Sequence, residues 1–522
     1  MTMLKSILLA GGALLACAAV AQAADLPTKK GAPVAPAKIN CDGFWNWFQN
    51  SAADCPLSYW GVTFYGQVDV GGGYETNGAK FDKWYPNGVS ELISNVNHGS
   101  KWEFVPNGLS QSNLGVKWKE PLGSDWFFVG DVNFGFDPYS LHFADGPRSL
   151  EDNNTLPQYL RTANGDSSRT YGPINTRAWA GFSNKTWGTL TYGRHYAFSN
   201  DNDNLYDPFG GAYAFSLIGF SSTLGGGLGD TELARFNNSI RYLYADHNIR
   251  AGVLSQVGGW SAGNNAKYAV QGDLGFDWQG FSVDGVYAYD RDAVALGILG
   301  SAGAGAIPAP LATNTLSATI ETINAFQIAG KYKWDQFTLF GGTQYSSITN
   351  PDAGALPTSF SVGGSPVRDF NGGFPAVYGT AVQTSSAVGL GLNNAFPVPR
   401  HLSVSWVGGK WTPVAYLDFA AGYYHVWQND YLGSTETATS CIANTNLQST
   451  RGAPVGSGLL KGTNSGKCAG TEDAISGLVD WHITKRFDLY GGVMFSKVRS
   501  GLASGFFADN NTALTSGVRL SF

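Results

Sequence analysis

YAVQGDLGFDWQGFSVDGVYAY, residues 268–289, alternates along its whole length. Tyr268, Val270, Leu274, Phe276 and Trp278 fall on one face and Gln271, Asp273 and Asp277 on the other. After Gln279-Gly280 the pattern returns through Phe281, Val283, Tyr287 and Tyr289. A period of two marks a strand with one apolar and one polar face, and two such runs across a two-residue turn form an antiparallel hairpin. The pattern recurs where Phe326, Ile328, Tyr332 and Trp334 lead over Asp335-Gln336 into Phe337, Leu339 and Tyr345. Aromatic side chains gather beside both turns, as expected where strand ends meet lipid headgroups.

Composition narrows what such hairpins build. The 522 residues include 69 glycines, 14% aromatic and only 14% charged residues, against about 25% charged in soluble domains. A many-stranded soluble sandwich is disfavoured on that ground. Past the first twenty-odd residues no run of about 18 apolar residues occurs, so membrane-spanning helices are excluded. A transmembrane β-barrel remains, its strands alternating between lipid and water. The net charge of −6 and the lack of a basic run argue against a nucleic-acid partner, whose phosphates require clustered Lys and Arg.

The alternation begins at Val62, with Val62, Phe64, Val68, Val70 and Tyr74 on one face and Thr63, Tyr65, Gln67 and Asp69 on the other. Further segments pair as 114–119 with 126–136, 177–183 with 189–195, 238–244 with 248–256, 402–411 with 415–427, and 473–482 with 487–498; 514–522 stands last. The hairpin around Trp406 to Tyr424 is the least regular, because both its faces are mixed. The expected fold is all-β, a closed antiparallel barrel of sixteen strands with short periplasmic turns and long extracellular loops. The first and last strands must pair, since an open edge in lipid leaves backbone groups unsatisfied. Sixteen strands leave an aqueous lumen.

Residues 1–23 have the build of a signal peptide: Lys5, an apolar stretch from Ile7 to Val20, and the A-x-A site Ala21-Gln22-Ala23. Cys17 sits in a lipobox-like LLAC, but Leu15 is unusual there and the apolar stretch continues beyond it. Residues 24–60 are expected in the periplasm, as a Pro/Ala/Lys linker followed by a loop bearing Phe44, Trp45, Trp47 and Phe48. That loop packs on the barrel rim, or else serves as a partial plug or partner patch. Residues 61–522 form the barrel. Four cysteines remain after cleavage, and local disulfides Cys41–Cys55 and Cys441–Cys468 are favoured among the three connectivities. Neither pair has the spacing of a tetrahedral zinc site, and no metal or cofactor is expected.

One connection is too long and too mixed for a turn: RHYAFSNDNDNLYDPFGGAYAFSLIGFSSTLGGGLGDTELARFNNSIR, residues 194–241. It carries Asp201, Asp203, Asp207, Asp230 and Glu232 between flanking arginines, which suggests opposed charge clusters across a narrow gap. Asp207, next to Pro208, also suits a plain turn cap.

RAWAGFSNKTWGTLTYGRHY, YDPFGGAYAFS, GDTELARFNNSIRYLY and the terminal VRLSF resemble the Gram-negative general porins, and most the porins of alphaproteobacteria related to rhizobia. The similarity covers nearly everything after residue 60. It implies that the third long loop, residues 198–236, folds into the lumen as a constriction, that the protein is a homotrimer, and that Phe522 is read by the outer-membrane assembly machinery. A barrel so placed meets outer-membrane lipid and lipopolysaccharide. The resemblance also assigns Arg194 and Arg235 to an arginine cluster, with Arg177 beside them. Parity puts Arg177, Arg235, Arg241 and Arg250 on the water face, whereas Arg194 follows the lipid face of Leu190 and Tyr192 unless a bulge at Gly193 intervenes.

The expected function is passive passage of ions and small hydrophilic solutes through a water-filled channel. Five acids and no base between Ala197 and Ala234 predict a mild cation preference. The alternative is a substrate-selective channel for a sugar or organic acid, with Tyr206, Phe209, Tyr213 and Phe215 as a stacking track. An enzyme is not expected: the seven histidines are scattered and lack H-E-x-x-H or G-x-S-x-G contexts.

Overall fold

The computed structural model describes residues 39–78, 99–141, 143, 176–218, 231–262, 264, 266–296, 316–350, 361–362, 365–366, 377–378, 398–431, 469–500 and 508–522. The signal segment, Asp230, Cys441 and Cys468 lie outside them. Sixteen barrel strands follow in order: β1 (Val62–Glu75), β2 in two pieces (Lys101–Pro106 and Asn113–Gly123), β3 (Trp126–Gly135), β4 (Arg177–Asn184), β5 (Gly188–Tyr196), β6 (Arg235–Asp246), β7 (Ile249–Gln256) and β8 (Ala266–Trp278). The ring continues through β9 (Phe281–Leu296), β10 (Leu316–Trp334), β11 (Phe337–Thr349), β12 (Arg400–Val414), β13 (Leu417–Gln428), β14 (Gly470–His482), β15 (Phe487–Ser500) and β16 (Asn510–Ser521). Each pairs antiparallel with the next, and β16 closes on β1 through Val68↔Leu520 and Val70↔Val518. Gly66 and Phe522 exchange two backbone hydrogen bonds of 2.9 Å at the seam, so no ladder edge is left open to lipid.

Register follows the alternation read from sequence. Leu274, Phe276 and Trp278 are exposed on the outer face of β8 while Gln271 is buried on the inner one, and Phe276 stands opposite Val283 of β9. Aromatic rings mark the turn level of the outer face: Phe337 stacks on Trp411 at 6.1 Å, and Trp411 on Phe419 at 5.5 Å. Such amphipathic rings belong at the membrane interface.

Two features depart from the expectation. The second strand is longer than residues 114–119, because Lys101–Pro106 pairs with the upper half of β1 while Asn113–Gly123 pairs with its lower half. Between the pieces the backbone leaves the sheet, and the buried Asp69 carboxylate accepts the amides of Leu109 at 2.7 Å and Ser110 at 2.9 Å. Second, β6 begins at Arg235 rather than Asn238, so Arg235 belongs to the wall and not to the loop.

The disulfide loop caps the periplasmic turn between β14 and β15. Cys41 and Cys55 are bonded around α1 (Phe44–Gln49). Arg486 donates from Nε to Trp47 O at 2.7 Å and from Nη2 to Ser51 O at 3.1 Å and Cys55 O at 2.6 Å, with its guanidinium over the Trp47 ring. Phe48 meets Phe487 at 6.1 Å. The aromatic loop is thus packed on the rim.

Candidate functional site

The connection from β5 to β6 opens with α2 (Phe198–Tyr206). Asp201 lies in its first turn, where a negative charge complements the helix dipole. The helix stops where Asp207 precedes Pro208, a position that disfavours helical backbone. Asp207 is extended, and its carboxylate accepts the amides of Phe209 at 3.0 Å and Gly211 at 2.9 Å. The expected turn-capping role is therefore present.

From there the loop runs inside the barrel. Tyr206, Phe209, Phe215, Leu217 and Ile218 share one apolar cluster with Leu402, Val404 and Trp406 of β12, Tyr424 and Val426 of β13, and Tyr490 and Met494 of β15. Gly408 and Gly422 face each other across β12 and β13 and make a notch for Pro208 and Phe209: a Cβ at 422 would lie 2.7 Å from Phe209 Cε2. The far end lands on the break in β2, where Ala214 N donates to Gly108 O at 2.9 Å. The protein's apolar core thus lies between loop and inner wall, and the loop crosses the lumen from the β5 side to the β1–β2 side.

Most loop acids fasten it. Asp203 accepts from Gln327 Nε2 at 2.7 Å, Asp207 from the Tyr424 hydroxyl, and Glu232 from Gln344 Nε2 at 2.5 Å; all three are buried. Burial pushes Asp207 up to about 6 and Glu232 up to about 7, against hydrogen bonds that favour the charged forms. These three stand at the loop–wall contact, away from the open lumen where the sequence suggested a charge cluster. Asp201 differs, since its half-exposed carboxylate accepts from Arg241 Nη2 at 2.6 Å.

The arginines divide in the same way. Arg177, Arg241 and Arg250 form an arc on β4, β6 and β7. Arg177 donates to Asp131 at 2.9 Å and to the Tyr65 hydroxyl at 2.8 Å; Arg250 pairs with Asp284 at 2.7 Å and with Asp277. Arg235 is 3% exposed and lies 5.1 Å over the Tyr196 ring. The β5–β6 ladder does slip between Gly193 and His195, yet on its other side Arg194 stays opposite Ala178. Its guanidinium is buried, donating to Thr176 O at 3.2 Å and to Asn237 Oδ1, so it lines neither the open lumen nor the lipid.

Sequence reasoning passed over a second charged arc. Asp418, Asp480, His482, Asp488 and Arg519 occupy the inner face of β13–β16, and Arg519 donates to Asp488 Oδ2 at 2.7 Å. In a ring of sixteen, β14 lies eight strands from β6. The signal was available, because 480, 482 and 488 share the inward parity once Leu489 and Trp481 face out.

A family model described as Gram-negative porin matches residues 10–501. No curated protein sequence matches the chain. Among solved structures, an anion-selective porin from Comamonas acidovorans is 14% identical, with 88% of this chain and 99% of that chain covered at a TM-score of 0.51. OmpT of Vibrio cholerae is 12% identical, covering 90% and 99% at 0.48, and OmpF of Salmonella typhi 13% identical, covering 88% and 97% at 0.45. With a closed sixteen-strand barrel, a loop folded into its lumen and a family match along nearly the whole chain, this protein belongs to the Gram-negative porins, the channel-forming β-barrels of the outer membrane.

Proposed function

We propose that the channel is a general diffusion porin, passing ions and small hydrophilic solutes passively and without reaction chemistry. One observation carries this over the substrate-selective reading: three of the four aromatics that would make a stacking track, all but the half-buried Tyr213, are spent on holding the loop. Tyr206, Phe209 and Phe215 are at most 6% exposed. The Tyr206 hydroxyl donates to Asp284 and shares a hydrogen bond with the Ser282 hydroxyl, both on β9, and Phe215 meets Tyr490 edge-on at 6.2 Å. What remains for a solute is water bounded by ion pairs, Arg177–Asp131, Arg241–Asp201 and Arg250–Asp284. Paired charges orient dipoles while leaving little net field to sort ions by sign.

Planar-bilayer recording tests this reading. Conductance should rise linearly with salt, and flux of small sugars and organic acids should not saturate. Saturation with one solute class would establish the selective channel instead. The homotrimer is part of the same proposal, supported by Trp102 and Phe104 standing 77% and 76% exposed on the outer face of β2; light scattering of the detergent-solubilised protein checks it. Recognition of Phe522 by the assembly machinery is likewise proposed, supported by its place at the closing seam.

A further inference from the structure

Ladder register gathers an unusual set of groups on the inner wall near the periplasmic turns. Asp418 of β13 stands opposite Asp480 of β14, His482 opposite Asp488 of β15, and Asp488 opposite Arg519 of β16. Like charges facing each other across a ladder destabilise it, so the Asp418–Asp480 pairing asks for a compensating cation. Two basic groups reach the cluster without contacting Asp480: Arg519 binds Asp488 through Nε at 2.9 Å and Nη2 at 2.7 Å, and Lys410 offsets only the Asp418 side, 3.6 Å from its Oδ2.

Asp480 makes no hydrogen bond among the described residues. It is 8% exposed, and its Oδ1 is buried with no hydrogen-bond donor among the described residues. A buried carboxylate oxygen left unpaired carries a desolvation cost that a ligand can remove. It points into a space shared with His482 and Asp488, whose ligand atoms all come within 4.8 Å of one another.

We propose that Asp480, His482 and Asp488 bind a divalent transition-metal ion of the zinc class on the lumen wall. His482 has both ring nitrogens aligned for this. Nδ1 lies 2.7 Å from Asp488 Oδ1 and Nε2 3.4 Å from Asp418 Oδ2. With Nε2–H held by Asp418, Nδ1 is the coordinating atom, in the carboxylate–histidine–metal arrangement that fixes tautomer and ring orientation. The ion takes Nδ1 and one oxygen from each of Asp480 and Asp488, and lumen water fills the remaining positions. Any proton on Nδ1 leaves to solvent as the metal–nitrogen bond forms. One imidazole with two carboxylates suits zinc, nickel or cobalt better than magnesium or calcium, which prefer all-oxygen shells. This proposal is independent of how the channel treats its solutes.

The test is calorimetric titration of the full-length protein in detergent with Zn²⁺, alongside Co²⁺ titration read by visible absorption. Wild type should bind one ion per chain. Asp418→Asn should weaken binding by about 10–100-fold, as loss of an orienting carboxylate does, and Asp480→Asn by at least as much. Asp473→Asn, on the outer face of β14, should leave it unchanged. Because Asp480 makes no hydrogen bond among the described residues, its amide should fold normally, which heat-modifiable gel migration verifies. Wild type without stoichiometric Zn²⁺ or Co²⁺ binding would overturn the proposal. So would equal affinity in Asp480→Asn, or equal competition by Ca²⁺.

Discussion

The indole N–H of Trp406 donates to the backbone carbonyl of Tyr206 at 3.0 Å, tying the inner face of β12 to the last residue of α2 across 200 positions of sequence. The carbonyl is buried at a helix end, where the final C=O groups have no helical partner. Trp406→Phe keeps a ring in the cluster but leaves that oxygen without its donor, at a cost of about 1–3 kcal/mol. Single-channel recordings of Trp406→Phe should show more frequent conductance fluctuations than wild type. Recordings indistinguishable from wild type would mean that the contact does not hold the loop.

Trp406 also explains where the sequence could be read and where it could not. Fourteen strands declare themselves by one apolar face, because lipid lies on one side and water on the other. The β12–β13 hairpin looked mixed because Leu402, Val404, Trp406, Tyr424 and Val426 point inward and are apolar too. The constriction loop rests on them, so their neighbours are Tyr206 and Phe209 rather than water. Mixed faces were thus the print of the loop's seat. The site was less legible for a related reason. Parity gives a direction but not a depth, and so could not separate Asp201, which reaches Arg241, from Asp203, Asp207 and Glu232, which lie beneath the loop. Asp480, His482 and Asp488 were passed over because their proximity comes from pairing between strands.

The buried loop acids make the seat pH-dependent. Asp207 and Glu232 are pushed up to about 6 and about 7 by burial, from carboxylate values of about 4 in an undocked loop. Raised carboxyl groups bind their protons more tightly in the docked state. Their contribution to docking is therefore full below about pH 4 and is lost as pH rises through 6 to 7. Loop amides between Phe198 and Ile218 should be better protected from hydrogen exchange at pH 5 than at pH 8, after correction for intrinsic rates. Asp207→Asn should flatten the part of that dependence near pH 6. A profile that rises with pH instead would contradict the assignment of buried, proton-holding carboxyls.

At the periplasmic rim, Arg486 holds three backbone carbonyls of the disulfide loop while 1% exposed. Arg486→Ala removes all three donors and the stacking on Trp47. Hydrogen bonds to a charged group contribute about 1.5–3 kcal/mol each, so the loop should detach while the barrel ladder stays intact. Limited proteolysis should then cut between Cys41 and Cys55, the fragments remaining joined until reduction. Resistance equal to wild type would show that the aromatic packing of Phe48 on Phe487 suffices alone.

Selectivity separates Asp201, the one loop acid at the lumen among the described residues, from those beneath the loop. Asp201 is half-exposed and paired with Arg241, so Asp201→Asn uncovers a positive charge beside the ion path and Arg241→Gln a negative one. A unit charge about 8 Å from a passing ion in water contributes about 0.5 kcal/mol, roughly a twofold change in permeability ratio. Reversal potential in a salt gradient should therefore move toward anion preference for Asp201→Asn and toward cation preference for Arg241→Gln, with the double variant near wild type. Glu232→Gln should leave the potential unchanged, since that side chain is 2% exposed and bonded to Gln344. A shift from Glu232→Gln larger than that from Asp201→Asn would place the selective charge on the returning arm of the loop, and the excess of acids between Ala197 and Ala234 would then count directly toward cation preference.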